Sequence, residues 1–469
     1  MRIRPFAIAG ALVTASACFS SSSPPAPAGA VTFHKDVEPI LQKSCQMCHQ
    51  PGGIAPFSLM TYADAKPHAA DMVLQTQNRV MPPWGAQNTS ECAPRFPWKG
   101  DLRLSDAALA TIKAWHDDGD YEGDPKDAPP PITTPPPTSL PGSQSLAPDT
   151  PFQLTQTSDY FRCFVLDPKI TSATYLTGTN IIPGNKTIVH HALVFSVPLT
   201  AQIPAPTDGV PGQYDCFGGV GISSGTSLIA AWAPGGIPYE YPAGVAQQVQ
   251  AGTRFVMQIH YHPHANATTD PDTTTFQYKL DTTPPQWIVA PTLIGNFAKA
   301  VDSTGNGLLP GPDDPASGPA FLIPPDTANH VETMQFTLPS TINGNPMPPL
   351  KILTVAGHMH LVGQDIKLDM TRAAPTATDP ATECLLQEPA WNFDWQRGYQ
   401  YDTPMDSLPS MMPGDKITFR CTYDNTLANP FLAAALAEAG QKQTQPVTLG
   451  ETTMDEMCLG AFWFVYKAP

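Results

Sequence analysis

Residues 187–195, with the sequence TIVHHALVF, form a short β-branched run that carries two adjacent histidines. Similar runs occur at 254–262 (RFVMQIHYH) and 351–355 (KILTV), and turns rich in Gly and Pro separate them. Short runs of this kind predict the strands of all-β sandwiches. Residues 152–469 are too many for one sandwich, so we expect two jelly-roll-like sandwiches, at 152–285 and 286–469.

Composition supports a β-rich, multidomain protein. The chain has 469 residues, enough for several domains, and 55 of them are proline. Charged residues make up 14% of the chain, against about 25% in ordinary soluble domains. The net charge of −16 argues against a nucleic-acid partner, because such partners are held mainly by Lys and Arg on phosphates.

The N-terminus has the features of an export signal. Arg2 and Arg4 precede an apolar stretch at 6–17, and small residues lead to Cys18. We assign 1–30 to a signal peptide and a tether rich in Ser and Pro, either lipidated at Cys18 or cleaved nearby. The protein is then periplasmic or on the cell surface, and only a lipid anchor at Cys18 would attach it to a membrane.

The sequence Cys45-Gln-Met-Cys48-His49 is typical of covalent haem attachment. Two thiols can add to the haem vinyl groups, and the adjacent histidine can bind the iron. The alternative is a disulfide or a zinc site beside an incidental histidine. An apolar stripe before Cys45 and a helix capped by Ser105 predict terminal helices. We therefore expect a small all-α cytochrome c domain over 31–122.

The sixth haem ligand should come from the segment between these helices, where Met60, Met72 and Met81 are candidates. Met81 precedes two prolines, which favour a rigid, extended loop, so we expect Met81 to be the ligand. The alternative for any methionine is a place in the core. This region resembles class I-type cytochrome c domains of bacterial fusion proteins. Residues 123–151 follow, with ten prolines in 29 positions, and predict a semi-rigid linker.

Eight of the 12 histidines lie in the second module. On a strand, His358 and His360 would share one face, as a metal site requires. His190 and His191 are adjacent and would point to opposite faces, so joint ligation requires a bulge there. The alternative is that each histidine is a structural polar residue in or beside a sandwich.

Several segments of this module resemble the copper type II monooxygenases, the family of peptidylglycine α-hydroxylating monooxygenase and dopamine β-monooxygenase. They occur in the order found in that family. The segments are HHALVF at 190–195, AWAP at 231–234 with PAGV at 242–245, QIHY at 258–261, HMH at 358–360 and DEMC at 455–458.

The resemblance implies two copper sites. An electron-transfer copper would be bound by His190, His191 and His260. The copper that binds O2 would be bound by His358, His360 and Met457. Imidazoles suit both oxidation states of copper, whereas a thioether favours Cu(I). His262 and His264 follow His260 and are either further ligands or groups that support the ligands.

The resemblance also implies two disulfides, Cys163–Cys216 and Cys421–Cys458. With Cys18 as a lipid anchor and Cys45 and Cys48 on haem, only Cys92 and Cys384 are left of the nine cysteines. They either pair across the module boundary or both stay free, and we expect the pair.

The sequence departs from the peptide-amidating members of that family at the substrate site. The Arg, Asn and Tyr that hold a substrate carboxylate in those members are replaced here by Ala356, Leu459 and Ala461. We therefore expect a small organic substrate without a carboxylate. The predicted function is C–H hydroxylation with O2 by two coppers.

Electrons would reach the coppers through the haem from an external periplasmic donor, with ascorbate as an alternative reductant. One alternative function is that of an electron-transfer or copper-binding protein without oxygenase activity. Another is that of a cytochrome fused to an adhesion or sugar-binding sandwich.

Overall fold

A computed structural model describes residues 26–469 except 52, 54, 133–138, 223–224, 235, 264–269, 312–313, 316–317 and 343. The signal peptide with Cys18, and also His264, lie outside the described residues. The chain divides into two compact units: a helical unit, 26–82 with 104–132, and a β-rich unit, 83–103 with 139–469. No described helix is long and apolar enough to cross a membrane.

The helical unit is held together by its first and last helices. A helical turn, Phe33–Val37, leads into the first helix. The helices are α1 (Glu38–Ser44), α2 (Tyr62–Ala65), α3 (Ala69–Gln77) and α4 (Asp106–Asp118). Ser105 caps α4 by accepting a 3.2 Å hydrogen bond from the Ala108 N–H, as predicted. Trp115 of α4 is fully buried, with its ring 5.8 Å from that of Phe33.

Strands dominate the β-rich unit. In its first half they are β1 (Gln144–Leu146), β2 (Tyr160–Leu166), β3 (Thr174–Ile182), β4 (Val189–Val197), β5 (Gln213–Asp215), β6 (Ser227–Trp232), β7 (Tyr239–Glu240), β8 (Val245–Val249), β9 (Arg254–Tyr261) and β10 (Thr275–Asp281). In its second half they are β11 (Trp287–Gly295), β12 (Gly307–Leu308), β13 (Leu322–Ile323), β14 (Thr327–Thr337), β15 (Thr341–Ile342), β16 (Asn345–Pro346), β17 (Leu350–His358), β18 (Gly363–Thr371), β19 (Thr382–Glu388), β20 (Tyr399–Gln400), β21 (Ser410–Met411), β22 (Lys416–Asn425), β23 (Val447–Thr448) and β24 (Leu459–Lys467). A helix, α5 (Pro430–Glu438), lies between β22 and β23.

One long sheet runs through both halves of the β-rich unit. Among the described strands its order is β1-β10-β3-β8-β11-β24-β17-β20, and in addition β7 pairs with β3 and β21 pairs with β17. The halves join where β8 and β11 pair in parallel, through Trp287 and Val245. A second sheet, β5-β2-β9-β4-β6, shares a buried core with the first half of the long sheet.

In the second half, the sheet β12-β14-β22-β18-β19 faces β24. The rings of Phe419 on β22 and Phe462 on β24 lie 6.1 Å apart and are both fully buried. The unit is thus mostly antiparallel sheet packed on sheet, consistent with the expected sandwiches, and the turn between β10 and β11 contains Pro284 and Pro285.

Residues 83–103 belong to the β-rich unit, whereas the sequence analysis places them in the first module. The Trp98 ring stacks on that of Tyr401 at 4.9 Å, and the Lys99 N–H donates a 2.8 Å hydrogen bond to the Gln400 carbonyl. Cys92 is joined to Cys384 of β19. Aromatic burial and this disulfide therefore attach the segment to the second half of the unit.

Parts of the predicted linker, 123–151, are packed against other segments in the structure. Residues 123–132 belong to the helical unit, and the Gln42 side chain donates a hydrogen bond to the Pro130 carbonyl. Leu140 is buried, and β1 pairs with β10. Only 133–138 lie between these parts, outside the described residues. Prolines are compatible with such packed loops, and the linker stays a prediction.

Three disulfides join the described cysteines of the β-rich unit: Cys92–Cys384, Cys163–Cys216 and Cys421–Cys458. They are the same pairs that the sequence analysis proposes. Disulfides form and persist in oxidising compartments, so they favour an exported protein.

Candidate metal centres

The first centre is a cluster of three histidines on two neighbouring strands. His190 and His191 lie on β4, and His260 lies on β9, where it pairs directly with His191. The register of the two strands shifts between Val189 and His191. This irregularity lets adjacent side chains converge. One nitrogen of each ring lies within 4.8 Å of the others, and the Nδ1 atoms of His190 and His191 are 3.1 Å apart.

The chemistry of this cluster suits a metal ion. Burial, together with the neighbouring His260, holds the pKa of His190 and of His191 well below the usual value, so both imidazoles are neutral. His260 is 2% exposed, and neither of its ring nitrogens makes a hydrogen bond. A buried nitrogen without a hydrogen bond is costly unless something else binds it. Three neutral imidazoles with converging nitrogens therefore fit a copper ion.

The second centre follows the end of β17. The rings of His358 and His360 are 5.2 Å apart. His358 Nδ1 lies 2.7 Å from Gln396 Oε1, and His360 Nδ1 lies 3.1 Å from the Asp455 carbonyl oxygen. Both acceptors require a proton on Nδ1, which leaves the Nε2 lone pair of each ring for a metal. Burial lowers the pKa of His358 and, together with His358, lowers that of His360 to about 3.

Met457 is tied to the same turn through its backbone. Its N–H donates a 2.8 Å hydrogen bond to Glu456 Oε1, which also accepts the N–H of His360. Glu456 Oε2 accepts the N–H of Val362 at 3.2 Å. The next residue, Cys458, is locked to Cys421 of β22. The DEMC segment is therefore held against the His-x-His turn by a buried carboxyl group and a disulfide.

Phe393 lies against histidines of both centres. Its ring stacks on that of His190 at a centroid distance of 4.7 Å and lies 6.2 Å from that of His360 in an edge-on arrangement. Phe393 itself is 6% exposed. The two histidine clusters thus face a common aromatic side chain within the β-rich unit.

The cross-strand neighbours of His358 are apolar. His358 pairs with Leu459 of β24, and Ala356 pairs with Ala461. Ala461 in turn pairs with Leu293 of β11, which is 42% exposed. Paired residues and residues two apart share one face of a sheet. The strand positions paired with His358 and Ala356, and the next strand beyond them, therefore present small or apolar side chains on this face.

The Cys45–His49 segment, whose sequence predicts haem attachment, begins at the end of α1 in the helical unit. Cys45 and Cys48 lie outside the three disulfides, and burial raises the pKa of Cys45 to about 12. His49 Nδ1 donates to the Phe57 carbonyl oxygen at 3.1 Å, which leaves its Nε2 available for iron. Of the methionine candidates, Met72 is 7% exposed in the core, whereas Met81 is 40% exposed in the loop after α3. Thiols, an imidazole and a thioether are the groups with which proteins hold a c-type haem.

Sequence reasoning missed several residues that support the centres: Asp159, Phe393, Gln396 and Glu456. Glu456 is adjacent to Met457 and could have been found by position. Asp159, Phe393 and Gln396 are distant in sequence from the histidines they contact, and no local pattern marks them. His262, considered as a ligand or a supporting group, contacts the Asp159 carboxylate.

Comparison with known proteins shows a distant similarity to a monooxygenase-like protein. No protein-family model matches the chain. The chain is 23% identical over 292 residues to DBH-like monooxygenase protein 2 of Mus musculus. The matched stretch covers 61% of this chain and 39% of that protein. The similarity supports a distant relationship to the DBH-like monooxygenases. The chain spans less than half the length of this relative.

Solved structures add no functional information. The major capsid protein P2 from bacteriophage PM2 has 8% identity and a TM-score of 0.28, covering 70% of this chain and 98% of that one. The infectious bursal disease virus VP2 subviral particle has 10% identity and a TM-score of 0.18, covering 72% and 76% of the two chains. Scores this low carry no argument.

Proposed function

We propose that this protein is an exported copper monooxygenase that hydroxylates a C–H bond of a small, uncharged organic molecule with O2. The observation that carries the proposal is the pair of histidine clusters that face Phe393 in one unit. One cluster has three imidazoles, and the other has two imidazoles, with the backbone N–H groups of His360 and Met457 bound to one Glu456 oxygen. The similarity to a DBH-like monooxygenase supports the same reaction class.

The reaction takes a substrate C–H bond, O2, two electrons and two protons, and it yields an alcohol and water. Bound copper supplies the one-electron steps and the binding of O2, which no amino-acid side chain can supply. The three-imidazole centre suits both copper oxidation states, whereas the thioether of Met457 favours Cu(I). Gln396 and the Asp455 carbonyl orient the His358 and His360 rings toward this second centre.

The substrate proposal rests on the surface beside His358. Ala356, Leu459, Ala461 and Leu293 carry no charge and no hydrogen-bonding side chain. A neutral, largely apolar molecule gains free energy by covering them. A carboxylate placed there loses hydration without gaining a partner. We therefore propose an uncharged substrate and exclude a peptide C-terminus from the proposed class.

We propose that electrons enter through a covalently bound haem. Cys45 and Cys48 would attach it, and His49 Nε2 and the Met81 thioether would bind the iron. An external periplasmic protein would reduce the haem, and ascorbate is the alternative reductant. The chain would be exported and either lipidated at Cys18 or cleaved nearby.

Metal analysis and a product search test the proposal. Full-length protein exported to a bacterial periplasm should contain copper at both centres and covalent haem. Incubation with O2, a reductant and a mixture of neutral organic molecules should consume O2 and give a product heavier by one oxygen atom. Copper-free protein should give none. Loaded protein that exchanges electrons but yields no product with any substrate would favour an electron-transfer protein instead.

A further inference from the structure

Asp159 lies just before β2 and contacts His260 of the three-histidine centre. Its side chain is 12% exposed. Oδ1 lies 3.4 Å from His260 Nε2 and also contacts His262 Nδ1. A carboxylate on one nitrogen of an imidazole fixes the proton there and leaves the other nitrogen for a metal. Neither ring nitrogen of His260 makes a hydrogen bond, so Asp159 acts on Nε2 through this 3.4 Å contact, and the buried Nδ1 is available for a metal.

The second oxygen of the same carboxylate contacts the chain that leads to Met457. Oδ2 accepts a 2.6 Å hydrogen bond from the Thr453 N–H. Thr453 is 4% exposed and lies in residues 450–457, here named the Met457 loop. A second contact joins this loop to the first half of the unit, because Glu451 Oε2 accepts a 2.7 Å hydrogen bond from the Gly218 N–H.

The charge of Asp159 is stabilised where it lies. Its two oxygens contact the rings of His260 and His262 and the Thr453 N–H. An ionised carboxylate accepts hydrogen bonds at both oxygens and donates none. Asp159 can therefore contact an imidazole with one oxygen and accept a hydrogen bond from a backbone N–H with the other.

We propose that Asp159 is a positioning residue for both metal centres: its Oδ1 orients His260, and its Oδ2 anchors the Met457 loop. One side chain thereby joins the ligand set of the first centre to the segment that presents the thioether of the second. This inference rests on the proposed copper sites. A purely structural carboxylate would affect stability and leave the properties of copper unchanged.

Asp159→Asn tests the inference because it keeps the shape of the side chain. The amide has one acceptor oxygen in place of two, so its NH2 group must face either the imidazoles or the Thr453 N–H. Asp272→Asn is the matched control. Asp272 is 1% exposed and bonds Tyr261 Oη and the Asn185 N–H in the same half of the unit.

The first readout is copper affinity, measured by chelator competition on full-length protein in a His360→Ala background, which disables the second centre. We expect Asp159→Asn to weaken binding about 10- to 100-fold, the usual effect of losing such a partner. Asp272→Asn should lower stability and leave the affinity unchanged. The inference would be overturned if Asp159→Asn bound copper as tightly as the His360→Ala protein. It would also be overturned if Asp159→Asn and Asp272→Asn lost the same copper affinity.

The second readout is the copper–sulfur signal in X-ray absorption of reduced protein with both centres intact. We expect Asp159→Asn to diminish this signal although Met457 is unchanged, and Asp272→Asn to preserve it. An unchanged signal in Asp159→Asn would overturn the coupling to the second centre. If the unmutated protein binds no copper at all, the proposed function fails, and this outcome is distinct from either failure above.

Discussion

Glu456 accepts a 2.8 Å hydrogen bond from the backbone N–H of Met457. The same oxygen accepts the N–H of His360, so one carboxyl group fixes the backbone of two residues that we propose as ligands. Glu456 is fully buried, and burial raises its pKa to about 8. A buried acceptor shared in this way sets the spacing of the ligand-bearing segments more strictly than the surrounding strands alone.

Two substitutions at Glu456 should give graded effects. Glu456→Gln keeps one acceptor oxygen toward His360 and Met457, whereas Glu456→Leu keeps much of the volume and leaves three N–H donors without an acceptor. Each buried donor left unsatisfied costs about 1–3 kcal/mol. We expect the leucine variant to lose copper at the second centre and the glutamine variant to keep most of it.

Copper content and X-ray absorption will measure this effect, with Glu332→Gln as the control for loss of another buried carboxylate. Glu332 is 3% exposed and bonds His330 and the Leu322 N–H, in the same half of the unit. Full copper and an unaltered copper–sulfur signal in Glu456→Leu would contradict the role of Glu456.

Met457→Leu should abolish hydroxylation and leave copper bound by His190, His191 and His260. The substitution removes the soft thioether ligand while nearly conserving side-chain volume, so stability should change by less than about 1.5 kcal/mol. Met370→Leu is the control, because Met370 is a fully buried core residue of β18. Turnover of Met457→Leu at the rate of the unmutated protein would rule out Met457 as a ligand.

The haem proposal predicts a covalent product and a replaceable sixth ligand. Protein exported to the periplasm should keep its haem through denaturing electrophoresis, and Cys45→Ser with Cys48→Ser should lose it. Met81→Ala should remove the sulfur-to-iron absorption band and retain the haem, while Met72→Ala, a core substitution, should retain the band. Haem that acid acetone extracts from the unmutated protein would show that no thioether bonds form.

Glu388 should make the stability of the β-rich unit depend on pH. It is buried, accepts a 3.2 Å hydrogen bond from the Gly357 N–H, and burial raises its pKa from 4.5 to about 8. The unfolded chain therefore releases this proton at a lower pH than the folded chain. The stabilising contribution is complete below about pH 4.5 and is lost as the pH rises through 8.

Glu388→Gln should flatten that dependence. In metal-free protein, the guanidinium midpoint should fall between pH 5 and 8, and it should fall less in Glu388→Gln. Glu240→Gln, which removes an exposed carboxylate paired with Lys279, is the control and should follow the unmutated protein. Parallel curves for Glu388→Gln and the unmutated protein would contradict the prediction.

The histidine positions could be predicted from local sequence because strand geometry is local. His358 and His360 are two residues apart and lie with their rings 5.2 Å apart. For His190 and His191, the sequence required a bulge, and the structure has a register shift beside them. The sandwich class likewise followed from short β-branched runs.

The contacts that support the sites could not be predicted, because they depend on long-range topology. Asp159 meets Thr453 only because β2 and the Met457 loop come together in the folded unit. The segment 83–103 looked like part of the helical module because it follows the proposed haem ligand without a break. Its place in the β-rich unit depends on Trp98 stacking on Tyr401, a contact across some 300 residues of sequence.

Transfer of one oxygen atom from O2 to a neutral substrate is the central claim, and isotope labelling tests it most directly. The copper-loaded protein should be reduced, supplied with heavy-isotope O2 and its substrate, and the product analysed by mass spectrometry. We predict one heavy oxygen atom in each product molecule, and no product from His358→Ala. A product whose oxygen comes from water, or product formation that survives His358→Ala, would contradict the proposed monooxygenase.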